Sequence, residues 1–248
     1  MTYSIVAKDA DTGEVAIAVA SRFFACGAMV PFVGHDVAVA SQAFCNPLWG
    51  LEGRARLAKG EKATELLADF VARDDGQSIR QAHMIDQFGD IAAHTGSDCV
   101  DWAGHRSAKG VSVAGNMLAA PAVVDATLAA YLDNMDQPLL ERLMRGMEAG
   151  ESAGGDKRGR QAAGLVIHRG EDYPWLDLRV DDHADPLAEL RRLVDVSQER
   201  YAHFAMGLAT RANFSGMIDR SPIDAAMQQA DAERRDMGIP SRSFASEA

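Results

Sequence analysis

The sequence predicts an α+β fold: a four-layer α-β-β-α sandwich of two antiparallel sheets with a C-terminal helical appendage. Three observations carry this. Strand-like runs come in groups, which favours antiparallel pairing over a strand–helix–strand alternation. Helix-like segments come in pairs, as outer layers over sheet faces do. The run at 14–20 (EVAIAVA) is apolar on both faces, so it needs cover on both sides. Three layers around a single sheet is the alternative arrangement.

Taken in order, residues 2–8 (TYSIVAK) read as a strand that starts almost at the first residue, although chain termini are normally frayed. Residues 9–13 (DADTG) supply turn chemistry, and 14–20 follow as a second strand. A loop with Gly27, Pro31 and Gly34 leads to a third strand over 36–43. The period then changes. A short helix is expected over 48–58, and Ala63, Leu66, Leu67, Phe70 and Val71 share one face of a second. Strands return at 80–86, 90–93 and 111–114, with Gln87-Phe88-Gly89 as a turn. Pro121 and Pro138 sit where first-turn prolines are favoured and open a second helix pair, with Leu140, Leu143, Met144 and Met147 as its stripe. Strands at 162–168 and 176–180 precede a helix that Asp185-Pro186 caps, with Leu187, Leu190 and Val194 inward. Past this point the pattern weakens. We divide the chain into a domain at 1–203 and an appendage at 204–248, in which Gly207, Asn213 and Gly216 form a linker and Ser221-Pro222 opens a last helix. The appendage is expected to pack on the domain or on a second copy, in a homodimer or higher homo-oligomer.

Composition narrows the function classes. The 248 residues are 47% hydrophobic and 25% charged, enough apolar material for a substantial core. A net charge of −11 argues against a nucleic-acid partner, whose phosphates call for Lys and Arg, and favours a small-molecule substrate. No stretch reaches the roughly 18 apolar residues of a membrane span, and Lys8-Asp9 interrupts any secretory signal. Cys26, Cys45 and Cys99 have no CxxC spacing and form no disulfide framework, so the expected home is a reducing cytoplasm.

Thr2 is the first candidate for chemistry. Its small side chain permits removal of Met1, which would leave a free α-amine and a β-hydroxyl on one residue at a strand start. That pair is a nucleophile with its own base. The α-amine suits the role, with a reference pKa of about 7.7–8.0. Thr2 is equally the small residue that commonly follows an initiator Met. The second strand ends in Ser21-Arg22 beside it, which supplies substrate-binding candidates. The loop at 154–161 (GGDKRGRQ) sets Lys157, Arg158 and Arg160 among glycines, and arginine can hold a carboxylate bidentately. There Asp156 could orient the Thr2 amine and Gln161 could bond a substrate amide; a solvated turn is the alternative. Asn116, after a strand, could donate to an oxyanion or be an ordinary turn residue. Ser41, Gln42 and Asn46 are substrate-binding polars or turn formers. His94-Thr95-Gly96 could line the pocket. His94, Cys99 and His105 match no common zinc spacing, so no metal or cofactor is expected. The acidic run at 181–185 could bind a divalent cation, but Asp185 already has a capping role.

The blocks MTYSIVAKDADTGEVAIAVASR, SQAFCNPLWG, AAHTGSDCVDWAGH, GNML, GESAGGDKRGRQAAG and LDLRVDDHADP resemble those of a bacterial family classed only as a domain of unknown function (number 1028). That family is grouped with the N-terminal-nucleophile hydrolases. The resemblance spans about residues 1–195 and implies the sandwich described above, with amide hydrolysis as the reaction. One departure stands out. Proteasome-like members carry a lysine after the second strand that lowers the nucleophile's pKa, whereas this chain has none between Lys8 and Lys59. Arg22, or Lys157, Arg158 and Arg160, would have to substitute. The competing expectation is a non-catalytic binding or assembly module on the same fold, as proteasome α-subunits are.

Overall fold

A computed structural model describes residues 2–245, so Met1 and the question of its removal lie outside the described residues. The chain forms two compact units, residues 1–187 and 188–248. The fold is α+β with two antiparallel sheets.

In the first unit, β1 (Thr2–Lys8) and β2 (Val15–Ser21) form a hairpin whose turn is fixed by Asp9. One Asp9 carboxylate oxygen accepts the backbone N–H groups of Asp11 and Thr12 at 2.9 Å each. Every residue of β2 is buried, as its unbroken apolar run requires. The loop that follows holds a short α1 (Cys26–Met29) and β3 (Pro31–Val33), neither of which has a periodic signal of its own. Next come β4 (Ala38–Ala43), α2 (Pro47–Leu57), α3 (Ala63–Arg73), β5 (Arg80–Ile85) and β6 (Ile91–Thr95). They are followed by β7 (Gly104–Ala108), β8 (Val111–Asn116), α4 (Ala122–Leu132), α5 (Leu139–Ser152), β9 (Ala162–His168) and β10 (Leu176–Val180). The helix pairs and most strands lie where the periodicity puts them. The edge strand β7 was not expected, because GHRSA is polar, half-exposed and shows no alternation.

The larger sheet has the order β10-β9-β2-β1-β8-β7 and the smaller β3-β4-β5-β6. One apolar cluster joins them: Val6, Val15, Ile17, Val19 and Val166 of the first meet Val33, Ala38, Ala40 and Ile85 of the second. On the other face of the smaller sheet, Val39, Ala82, Met84 and Ala92 pack with Trp49, Leu57, Leu66 and Phe70 of α2 and α3. The alternate residues of β1 turn to α5 instead: the Tyr3 hydroxyl donates to the Met147 carbonyl at 2.9 Å. Gly146 and Gly150 let that helix approach, since a Cβ on either would press on Ile5 or on Thr127 and Tyr3. Gly164 of β9 lies against the backbone of Gly27, where an added Cβ would sit 2.6 Å from the Gly27 Cα. At the Lys8 end of β1, Arg142 of α5 pairs with the second Asp9 oxygen, both side chains being buried.

The second unit contains most of α6 (Pro186–Glu199), α7 (Tyr201–Ala205) and α8 (Ser221–Asp236). Within it, Glu199 accepts from Ser241 and from the Arg242 backbone at 2.7 Å each and pairs with Arg234. No helix among the described residues is long and apolar enough to cross a membrane.

Candidate functional site

Strand parity decides where β1 sends its side chains. Tyr3 points to α5, so Thr2, Ser4 and Val6 point into the space between the sheets. Thr2 begins the strand there, with its Oγ1 3.1 Å from the Oγ of Ser21 at the end of β2. On its other side Asn116, the last residue of β8, is its direct cross-strand partner, which puts both side chains on one sheet face. Thr2 and Asn116 are 6% and 3% exposed, so the hydroxyl and the amide share a nearly dry corner. Asp156 stands beside this corner. It bridges to Leu118, two residues after Asn116, and its buried carboxylate accepts the backbone N–H of Arg22 at 2.7 Å and of Arg158 at 2.8 Å. The fold thus gathers Thr2, Ser21, Arg22, Asn116 and Asp156 at one end of the large sheet from four separate stretches of sequence.

Behind Thr2 the inter-sheet space is polar. Gln81 of β5 is fully buried; its Oε1 accepts from Asn116 Nδ2 at 3.0 Å and Gln42 Nε2 at 2.8 Å. Its Nε2 faces three acceptors, the Gly115 carbonyl at 2.8 Å, Thr95 Oγ1 at 2.9 Å and the Gly104 carbonyl at 3.2 Å. Gln42 continues to Ser4 at 2.6 Å, Ser4 to His83 Nε2 at 2.8 Å, and His83 Nδ1 to Ser112 at 3.0 Å. Burial, reinforced by the nearby His105, pushes the His83 imidazole down to about 3, so it is neutral. Of these residues, sequence reading singled out Gln42, Thr95 and Asn116. Ser4, Gln81, His83 and Ser112 alternate with apolar neighbours as solvent-facing strand residues do. Their one signal is that alternation inside strands that are buried on both faces.

The remaining candidates have other engagements. Asn46 caps α2, accepting from Leu48 N at 3.0 Å and donating to Asp74 at 3.0 Å. His94 lies on the outer face of the smaller sheet, bonded to the Gln77 carbonyl at 2.9 Å and tilted against Trp49. The cations of the 154–161 loop meet groups of the chain itself: Lys157 the Asp101 carbonyl, Arg158 Asp156, and Arg160 both Glu151 and Asp185. Gln161 bonds Asp182 at 3.1 Å. The guanidinium of Arg22 donates to the Arg158 carbonyl, which ties the end of β2 to this loop. Cys26, Cys45 and Cys99 are free thiols.

A sequence model described as "Family of unknown function (DUF1028)" matches residues 2–190. Among solved structures the chain is similar to protein SPO2555 from Silicibacter pomeroyi, itself described with the same family. The two are 28% identical with a TM-score of 0.80, over 88% of this chain and 99% of that one. No curated protein matches the chain.

Proposed function

The chain belongs to the Family of unknown function (DUF1028), and from the geometry around Thr2 we propose that it is a hydrolase of the N-terminal-nucleophile kind, cleaving an amide or related C–N bond in a small substrate. One observation carries the proposal. The Thr2 hydroxyl is held 3.1 Å from Ser21 Oγ, next to Asn116, on a backbone paired with strands on both sides. Sheets that share a core, with helices against their other faces, support the four-layer α-β-β-α reading.

With Met1 removed, Oγ1 of Thr2 attacks the substrate carbonyl carbon while the Thr2 α-amine takes the hydroxyl proton. Asn116 has two amide hydrogens; Gln81 takes one, and the other serves the oxyanion. The C–N bond breaks as the ammonium returns the proton to the leaving nitrogen. The resulting Thr2 ester is hydrolysed by water, with the amine again as base. Asp156 holds the Arg22 segment that follows β2, through the Arg22 N–H. A carboxylate-bearing substrate would compete with Glu151 and Asp185 for Arg160. The free thiols support a reducing compartment.

The test has two parts. The intact mass of purified protein should fall short by one methionine. A β-lactone probe should then acylate Thr2, with labelling kept in Thr2→Ser and lost in Thr2→Ala. Retained Met1, or equal labelling of Thr2→Ala, refutes the proposal. The second reading, a non-catalytic binding or assembly module, is favoured by the internal pairing of the loop cations. It predicts a full-length mass and no acylation.

A further inference from the structure

The hydrogen bonds behind Thr2 have only one consistent direction, and a backbone carbonyl sets it. The carbonyl oxygen of Gly115 can only accept, so the group 2.8 Å from it on Gln81 must be the amide nitrogen. The oxygen of Gln81 therefore faces Gln42 and Asn116, and both must present nitrogen to it. The oxygen of Gln42 is then left for Ser4, whose single hydroxyl hydrogen it takes at 2.6 Å. Ser4 has no hydrogen left for His83, so the 2.8 Å contact requires a hydrogen on His83 Nε2. In a neutral imidazole Nδ1 is then bare, and it accepts from Ser112, which in turn accepts from Ser107 at 3.2 Å. On a side branch, Gln81 Nε2 also faces the Gly104 carbonyl at 3.2 Å and Thr95 Oγ1 at 2.9 Å, and Thr95 Oγ1 lies 3.0 Å from His105 Nδ1.

We infer that this one-way chain, anchored at the Gly115 carbonyl, makes Gln81 a positioning residue that keeps the Asn116 amide from flipping, and fixes His83 as the Nε2–H tautomer. A flipped Asn116 would set its oxygen against the oxygen of Gln81 and turn its hydrogens elsewhere. The direction from the Gly115 carbonyl to the His83 Nε2–H stands on the hydrogen bonds alone, and the bare Nδ1 adds the neutrality of the buried ring. The consequence for Asn116 as an oxyanion donor rests on the reaction proposed above. Donors that need no reorientation at the moment of reaction are the effective ones.

Histidine-labelled protein read by ¹⁵N NMR tests the direction. The His83 signal should be that of a neutral Nε2–H ring and should not move between pH 5 and 8; an Nδ1–H ring, or titration in that range, overturns the inference. β-Lactone labelling of Thr2 tests the positioning. Gln81→Met and Asn116→Ala should each slow it about 100-fold. The double variant should be no slower than either single one, because Gln81 acts through Asn116. Wild-type labelling in Gln81→Met, or multiplied losses in the double variant, overturns the role. If Gln81→Met does not fold, Gln81→Glu replaces it. Its protonated acid can still donate to Gly115, so its labelling relative to wild type should fall as pH rises, and a flat ratio overturns the role. No labelling of the wild-type chain overturns the proposed reaction and the positioning role with it. The His83 tautomer then judges the direction of the chain by itself.

Discussion

The Asp9–Arg142 pair offers a sharp energetic test, because the structure separates its charge from its other duties. The two side chains are 8% and 4% exposed. Around the guanidinium lie the Tyr131 ring, 5.5 Å from the centroid, and the Met135 sulfur, while Nε has no hydrogen-bond partner among the described residues. Burial accordingly lowers the Arg142 pKa from its ordinary value. Asp9→Asn keeps an oxygen for the N–H groups of Asp11 and Thr12, so the hairpin turn survives, but it strands the cation. A surface pair would cost about 0–1 kcal/mol to break. A buried one broken from one side costs about 3–5 kcal/mol. At roughly 2–4 °C per kcal/mol for a chain of this size, Tm should drop on the order of 10 °C. The assay is urea unfolding at pH 7 on Asp9→Asn, Arg142→Met and the double variant. The double variant should recover part of the loss, since it leaves no uncompensated buried charge. A single-variant loss below about 1 kcal/mol, or losses that simply add, would refute the reasoning.

Other expectations follow from the same geometry. His83 has its folded pKa depressed below the unfolded value, so the unfolded chain binds the extra proton. Stability should therefore fall as pH drops from about 6.5 towards about 3, by about 1.4 kcal/mol per unit from this residue. His83→Asn should flatten that slope in acid unfolding curves, and an unchanged slope would count against the assignment. Gly164→Ala should destabilise by about 1–3 kcal/mol, because the new Cβ meets Gly27 backbone rather than a movable side chain; an unaltered urea midpoint would contradict it. Asn46→Ala removes the cap of α2 and should cost about 0.5–2 kcal/mol in the same measurement. Ser21→Ala should slow β-lactone labelling of Thr2 without altering its final extent, whereas an equal rate would show that the 3.1 Å contact does not prepare the hydroxyl.

Much of the fold was legible in the sequence, because local rules decide it. The strand bounds at Thr2–Lys8, Ala162–His168 and Leu176–Val180 agree with the runs read from the sequence, which are bordered by turn or polar residues. Pro31–Val33 and Gly104–Ala108 were not legible: the first is three residues opened by proline, and the second is a polar edge that pairing alone makes a strand. Of the candidate site, Thr2, Ser21 and Asn116 could be found from their positions at strand ends. Gln81 and His83 could not. A polar residue at every second strand position ordinarily means water on that face, and only the stacking of a second sheet turns it into an interior.

That stacking constrains how such a chain can change over generations. In the apolar half of the inter-sheet space, a valine can become an isoleucine one position at a time, each step repaid or tolerated locally. The half behind Thr2 obeys a stricter grammar, in which the buried Ser112, His83, Ser4, Gln42 and Gln81 each hand a hydrogen to the next, and Gln81 hands one to the Gly115 carbonyl. Losing one member leaves buried donors and acceptors orphaned on both sides, so single substitutions are trapped and only paired or multiple ones pass. The corner around Thr2 should thus drift in blocks, with the five residues exchanged together or kept together, while the apolar half a few ångströms away wanders freely.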